Sequence, residues 1–375
     1  MMENSLLFES QLKGLSIALK KTPTEVIEAV KSSGLRGRGG AGFPTGLKWE
    51  ICSKASGKRY VICNADEGEP GTFKDRLILT KIPLNVIEGI IIACYAVGAN
   101  EAFIYLRGEY ECLLPKIRAA IKKAKSFLED KNIKIMIVVG CGSYICGEET
   151  SILNSIEGFR PEPRKRPPYP AEKGLYGCPT LVNNVETLSV IPLIFLGRFN
   201  PKTRLLSISG DVEKPGVFEV CEGTQLGKIV EKAKPIGTPK AICFGASGGI
   251  MPFDPCMELT EENVKAKGCF FGSGGIIVLN HTRPILETCK TIQKFFVHEC
   301  CGYCAPCREG SQRILDYLNK ISSGCANKKD LKVLEDLCQF VSVASFCALG
   351  RSMPLHITTA LKYFREEFIK NEAKN

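Results

Sequence analysis

Lys58-Arg-Tyr-Val-Ile-Cys-Asn64 runs directly into Ala65-Asp-Glu-Gly-Glu-Pro-Gly-Thr-Phe-Lys-Asp-Arg76. The first part reads as a buried strand, a short apolar run rich in β-branched and aromatic residues. Asp66, Glu67 and Glu69 then fall just ahead of the Pro70-Gly71 turn. Carboxylates this close repel one another unless hydroxyls, amides or cations face them. A plain acidic turn is one reading. A strand end that binds a polyol is the better motivated one, because open α/β sheets bind ligands outside the carboxyl ends of their strands.

Downstream of that turn the pattern alternates. An apolar helix over residues 84–97 precedes a strand, Glu101–Leu106. A long helix over 110–128 and a strand over 133–139 follow. Strands alternating with helices predict an α/β fold with a parallel sheet. The last strand delivers Gly140-Cys-Gly-Ser-Tyr-Ile-Cys-Gly-Glu-Glu-Thr150 and a helix over 150–157. Here Tyr144, Glu148 and Glu149 look like a second polar site. The paired glutamates fit ribose or amide acceptors, or residues that favour a helix N-terminus. Pro161–Ala171 reads as a semi-rigid strap,. Thr180-Leu-Val-Asn183-Asn184-Val-Glu186-Thr187 follows, its asparagines marking a turn or a ring-edge contact,.

Upstream, Thr22-Pro23-Thr24-Glu25 carries a capping box with proline at the first helical position,. Gly34 ends that helix. Gly34-Leu-Arg-Gly-Arg-Gly-Gly-Ala-Gly-Phe-Pro-Thr-Gly-Leu-Lys-Trp49 comes next. Gly37, Gly39 and Gly42 spell G-x-G-x-x-G, but after a helix rather than a strand, so the dinucleotide fingerprint is weak. Uncovered backbone N–H groups can still line an anionic ligand. Arg36, Arg38 and Lys48 add positive charge, and Phe43 adds a stacking face.

Composition shifts after residue 200 to a small β-rich module with glycine-rich turns, and from Ile285 the pattern is helical. Within that helical region lies Glu299-Cys-Cys-Gly-Tyr-Cys-Ala-Pro-Cys-Arg-Glu-Gly310. Cys301, Cys304 and Cys307 form C-x2-C-x2-C in a loop shaped by Gly302 and Pro306, and Cys347 is the natural distant fourth ligand. This donor set suits an iron–sulfur cluster. Zinc is the alternative, although its all-cysteine sites usually use two C-x2-4-C pairs. The sequence holds 19 cysteines, and those outside this set read as reduced thiols,.

The net charge is +10, but the lysines are spread along helices among acids, and no basic–aromatic motif for nucleic acid appears,. No signal peptide is expected. The apolar run over 86–99 carries Glu88 and is too short to span a bilayer, so no direct membrane insertion is expected,.

These stretches, in this order, resemble the flavin-bearing, NADH-oxidising subunit of respiratory complex I, a family shared with flavin subunits of NAD-linked hydrogenases and formate dehydrogenases. The resemblance rests on residues 37–49, 64–76, 144–150, 182–187, 301–310 and 346–350. It implies an α/β Rossmann-like FMN- and NADH-binding domain over 1–198, a ubiquitin-like β-grasp module over 199–284 and a helical [4Fe–4S] domain over 285–375. It further implies that Gly37, Arg38, Gly39, Lys48, Asn64, Asp66, Glu67, Tyr144, Glu148, Val182, Asn183, Asn184 and Thr187 bind FMN. Phe43, Lys48, Glu69, Glu149 and Tyr169 would hold NADH. Cys301, Cys304, Cys307 and Cys347 would hold the [4Fe–4S] cluster. No residue beyond the flavin is expected to act as an acid or base. The implied partners are a [2Fe–2S] thioredoxin-like subunit and a larger iron–sulfur subunit. The implied location is the cytoplasm, peripheral to the inner membrane through those partners. A flavin subunit of a soluble hydrogenase or formate dehydrogenase, or an iron–sulfur docking protein, is the alternative.

The chain departs from the family pattern in three places. Ile51 stands where an aromatic often sandwiches adenine. The thioredoxin-like and ferredoxin-like extensions of some hydrogenase relatives are lacking, so further clusters are expected in partner chains. Cys300 stands where serine is usual; it is either a competing ligand or inert, and inert is the expectation, because Cys301 keeps the two-residue spacing.

Overall fold

The structure is a computed structural model and describes residues 5–369. The outer ends of the expected first and third domains, residues 1–4 and 370–375, lie outside the described residues. The chain divides into two compact units. One holds the residues up to Gly68 together with Phe73–Leu205; the other holds Glu69–Thr72 together with the residues from Leu206 onward.

The first unit is built on a parallel sheet in the order β3-β2-β1-β4, with β1 Tyr60–Ala65, β2 Glu101–Leu106, β3 Lys134–Val139 and β4 Thr180–Asn184. In register, Asn64 of β1 lies opposite Tyr105 of β2 and Asn184 of β4. Both asparagines therefore reach the carboxyl ends of adjacent strands, where an α/β sheet presents its ligand site,. Tyr60, Ile62, Phe103, Tyr105 and Val182 share one core cluster with Ile152, Leu153 and Leu175. The helix Pro83–Val97 is apolar nearly all round and nearly all buried, as a helix enclosed by its neighbours must be,. It packs on Val185–Phe195 without clearance: a Cβ added at Gly89 would fall 2.1 Å from the Leu188 carbonyl oxygen.

The Thr22 capping box forms, with Thr22 Oγ1 accepting from Glu25 N–H and Glu25 accepting from Thr22 N–H, and the helix runs Pro23–Ser32. The expected helix over 110–128 is instead three pieces: a 3-10 turn Gly108–Leu113, then Leu114–Lys123, then Lys125–Asp130. Pro115 sits in the first turn of the middle piece, where its missing N–H costs nothing,. Ala124 leaves helical geometry at φ −90°, ψ 7° and separates the last piece.

The second unit carries a five-stranded sheet in the order β6-β5-β9-β7-β8, with β5 Thr203–Gly210, β6 Gly216–Cys221, β7 Pro239–Cys243, β8 Ile250–Pro252 and β9 Gly275–Asn280. The division between the units falls within β5. β5 runs parallel to β9, and β7 runs antiparallel to both β8 and β9. Leu206, Ile208, Ile242, Ile276 and Val278 pack with Leu226, Ile229 and Val264 into the core of the sheet. Beyond it lie the helices Ile285–Glu299, Ala305–Ser322, Lys328–Ala344, Leu355–Tyr363 and Arg365–Ile369. Phe364, at φ −135°, ψ 32°, separates the last two. Among the described residues no single helix is long and apolar enough to cross a membrane.

Candidate functional site

In the first unit four loops meet at the carboxyl edge of β1 and β4. The Asn64 side chain donates to the Gly147 carbonyl at 2.9 Å and accepts from Asp66 N–H at 3.0 Å. The Arg38 N–H donates to Thr187 Oγ1 at 2.9 Å. Gly39 lies against Asn184, where an added Cβ would stand 3.2 Å from the asparagine Cβ. Gly68 lies against Tyr144, and Gly147 against Asp66, at 3.0 and 3.2 Å by the same measure. Any larger residue at these three positions would fill the space between the loops. This cradle of glycine backbone, amides and buried carboxylates suits a ligand that combines a polyol, a phosphate and a polar ring edge.

Individual side chains sharpen the picture. The Arg38 guanidinium donates to the carbonyls of Pro201 and Thr203, so it pins the glycine loop and leaves the backbone to face outward. Asn184 caps the helix Val185–Phe195 by accepting from Glu186 N–H at 2.9 Å. Asn183 accepts from the Trp49 indole at 2.9 Å. Glu148 caps the helix Glu149–Ile156 through Thr150 and Ser151 N–H, both at 2.9 Å. Its other oxygen pairs with Arg166. The helix-capping reading of Glu148 therefore holds for its local geometry, since a carboxylate at a helix N-terminus is favoured by the dipole and the open N–H groups.

Lys48 joins Glu149 to the Val182 carbonyl, the latter at 2.9 Å. Phe43 and Tyr169 are exposed, offering aromatic faces. Val182 lies at the centre of β4, paired with Ile62.

Beneath this surface lies an ion network that the sequence pattern did not reveal. Lys74 is fully buried, with its ammonium 2.8 Å from Asp75 and 3.0 Å from Glu186. Asp75 in turn accepts from the Asn184 amide at 2.6 Å. Glu67 accepts from the N–H groups of Asp75 and Arg76 at 2.9 and 3.1 Å, and from the Tyr110 hydroxyl at 2.9 Å. Burial and the nearby Asp75 charge push the Glu67 carboxyl above its usual range, against Lys74. Burial likewise raises Asp75, again opposed by Lys74. The available signal was a Lys-Asp pair between Phe73 and the apolar Leu77-Ile78-Leu79, which puts two charges where burial is forced.

Glu69 belongs with the second unit. Its Oε1 accepts from Ala246 N–H at 2.8 Å, and from the Ser247 N–H and hydroxyl, both at 2.9 Å. Gly245, at φ +60°, makes the turn that aims those donors,.

Also in the second unit, Cys300 ends the helix Ile285–Glu299, and Cys304 is the N-cap of Ala305–Ser322. The expected loop through Cys307 is thus shorter than the spacing suggested. Pro306 sits in the first helical turn, where proline is favoured, and Cys307 is on the helix,. The Cys307 thiol is raised by its contact with Cys300, by burial, and by the charges of Cys304 and Cys347. Gly350 allows the Cys347 segment to lie against this helix, since an added Cβ would fall 3.1 Å from Cys307 Cβ and 2.6 Å from Ser345. Cys307 is buried, Cys304 and Cys347 are half-buried, and thiols are the donor chemistry an iron–sulfur cluster requires,. Among the described residues no three His, Cys, Asp or Glu side chains stand in ready-made geometry for a single metal ion.

Comparison with known proteins agrees with both regions. Residues 30–193 match the Nuo51 FMN-binding domain, and residues 287–371 match the NADH-ubiquinone oxidoreductase-F iron-sulfur binding region. One of the F-type subunits of NADH-quinone oxidoreductase from Rhizobium meliloti (strain 1021) is 41% identical over 93% of this chain and 89% of its own. The F-type subunit of the same enzyme from Aquifex aeolicus (strain VF5) is 41% identical over 97% and 89%. A crystal structure of an NAD+-reducing [NiFe]-hydrogenase in the H2-reduced state superposes with a TM-score of 0.90 at 38% identity. It covers 96% of this chain, which spans only 64% of the hydrogenase chain. On the length and identity of these matches, the chain belongs to the family of F-type subunits of NADH-quinone oxidoreductase.

Proposed function

We propose that this chain is the electron-input subunit of an NADH dehydrogenase, working with FMN and one [4Fe–4S] cluster. The chemistry supplied by bound FMN is acceptance of a hydride from NADH and release of its electrons singly to the cluster. The observation that carries the reading is the meeting of the four loops at the ends of β1 and β4, tied by Asn64 to Gly147 and by Arg38 to Thr187.

The residues divide the work. Gly37, Arg38 and Gly39 present backbone to the flavin, with Arg38 holding the loop in place. Asn64, Asp66, Glu67, Tyr144, Glu148, Val182, Asn183, Asn184 and Thr187 supply its polar contacts, and Lys48 closes the cradle. Phe43, Lys48, Glu149 and Tyr169 take the nicotinamide nucleotide, the aromatics by stacking and the ion pair by orientation. A carboxylate near the adenosine ribose would repel a 2′-phosphate and favour NADH over NADPH. Glu69 is assigned to NADH on the resemblance alone, because its Oε1 serves the Gly245 turn. Cys301, Cys304, Cys307 and Cys347 hold the cluster. Hydride transfer needs no general base, so these groups bind, orient and exclude water.

We also divide the chain into a Rossmann-like domain over 1–198, a β-grasp module over 199–284 and a helical cluster domain over 285–375. The mixed sheet of the second unit, with its short packed helices, is compatible with the middle assignment. The partners we assign are a [2Fe–2S] thioredoxin-like subunit and a larger iron–sulfur subunit, which keep the chain in the cytoplasm at the inner membrane surface. The TM-score of 0.90 to the hydrogenase favours a second reading, the flavin subunit of an NAD-linked hydrogenase or formate dehydrogenase with the same site.

Purified holoprotein should show flavin absorbance, iron with acid-labile sulfide, and NADH–ferricyanide activity. Absence of flavin together with absence of that activity would overturn the proposal. Co-purifying subunits separate the two readings.

A further inference from the structure

A fifth thiol stands inside the cysteine constellation. Cys300 Sγ lies 3.4 Å from Cys307 Sγ, and the Gly302 N–H points at Cys300 Sγ at 3.4 Å. A thiolate that receives a backbone N–H in this way is stabilised as a metal ligand is. Cys300 is extended, at φ −65°, ψ 122°, and neighbouring residues of an extended chain project to opposite sides,. With Cys300 Sγ on the side that faces Cys307, bringing Cys301 to that side takes a turn of the backbone at the pair. Gly302, at φ +79°, follows them in a conformation open to glycine, and so gives the pair a local pivot,.

We propose that Cys300 and Cys301 are interchangeable ligands, so that the first protein ligand of the iron–sulfur cluster is supplied by either thiolate. Cys304, Cys307 and Cys347 complete the set in both arrangements. Exchange breaks one iron–thiolate bond and forms another, and the displaced thiolate takes up the proton released by the incoming thiol. No electron is gained or lost.

The inference rests on the iron–sulfur reading of the site. Wild-type holoprotein without iron and sulfide would defeat that reading, whereas the outcomes below concern the exchange alone. The measurements are iron and sulfide content, and the electron paramagnetic resonance spectrum of the dithionite-reduced holoprotein. FMN content and circular dichroism serve as folding controls. Cys300→Ser and Cys301→Ser should each keep near wild-type iron, Cys301→Ser with a displaced spectrum. The double variant should lose nearly all iron, as Cys304→Ser should. Loss of iron from Cys301→Ser as complete as from Cys304→Ser would overturn the proposal. Loss from Cys300→Ser with retention in Cys301→Ser would overturn it too, by making Cys300 the sole ligand. If Cys301→Ser and Cys301→Ala do not fold, alkylation of native wild-type holoprotein decides. Partial protection of both Cys300 and Cys301, lost when iron is chelated, supports the exchange, and complete protection of one of them alone overturns it. Cys300 reacting as fast as the exposed Cys325 overturns it.

Discussion

Lys74 Nζ lies 3.0 Å from Glu186 Oε2, and both side chains are shut off from water. Asp75 stands 2.8 Å from the same ammonium and holds the Asn184 amide. The ammonium therefore faces two buried carboxylates, and through one of them fixes an asparagine at the edge of the ligand cradle. Removing one partner of a buried ion pair leaves an uncompensated charge and costs roughly 3–5 kcal/mol. Lys74→Met should lower urea-unfolding stability by that order and release FMN. Adding Glu186→Gln should recover part of the loss, because one of the two stranded carboxylates is then removed. A single variant as stable as wild type would refute the role.

Trp49 offers a smaller change at the same site. Its indole N–H is buried and donates to Asn183 Oδ1 at 2.9 Å. Trp49→Phe keeps most of the packing and strands the amide oxygen, a penalty of about 1–3 kcal/mol. Flavin titration of the apoprotein should show a dissociation constant about tenfold weaker, the factor that corresponds to about 1.4 kcal/mol.

Much of this is legible in the sequence. Period and composition locate β1, β2 and β3 and the capped helix at Thr22, because short apolar runs and capping boxes are local signals. The cysteine spacing points to the second site for the same reason. The Lys74–Glu186 pair is not legible, since it joins residues far apart in sequence through burial that no window detects. Glu69 shows the converse limit: its acidic turn reads as part of the strand-end site, yet its Oε1 binds the Gly245 turn of the second unit. The split of the 110–128 helix also escapes, because Ala124 carries no breaker signal and its backbone yields to packing.

Glu149 is held to Lys48, which also reaches the Val182 carbonyl. Glu149→Gln keeps the shape of the side chain and removes the charge that orients Lys48. If this pair positions the nucleotide, KM for NADH should rise several-fold while FMN content stays at wild-type level. Loss of flavin without a change in KM would move Glu149 to the flavin side of the site.

His356 gives the helical region a pH dependence. Its ring is fully buried and stacked on Phe296, with centroids 5.9 Å apart. Burial lowers its pKa from 6.5 to about 4, only partly offset by the nearby main chain of Met353 and Cys289. The folded state thus binds fewer protons than the unfolded state between these values. Stability therefore falls as pH drops below the unfolded value. His356→Phe keeps an aromatic ring and removes the titration. Between pH 7 and pH 4.5 the wild type should lose about 2 kcal/mol more unfolding free energy than the variant. Equal losses would show that the imidazole is not the group responsible.

Gly350 tests how the distant cysteine reaches the other three. A methyl group there would fall 2.6 Å from Ser345 Cβ and Oγ and 3.1 Å from Cys307 Cβ. The first distance is below any tolerated contact, so the segment from Ser345 to Gly350, which carries Cys347, has to rearrange, and the second presses it against Cys307 of the helix Ala305–Ser322. Overpacking of this kind costs about 1–3 kcal/mol. The larger effect falls on ligation, which needs Cys347 and Cys307 on one centre. Gly350→Ala should therefore lose most of its iron and sulfide while retaining FMN, whose cradle lies in the first unit. NADH should still bleach the flavin of this variant in a stopped-flow mixing experiment, while the cluster signal of the reduced protein disappears. Full iron content in Gly350→Ala would mean that the Cys347 segment has room to spare, and that its close approach to Cys307 is not what assembles the centre.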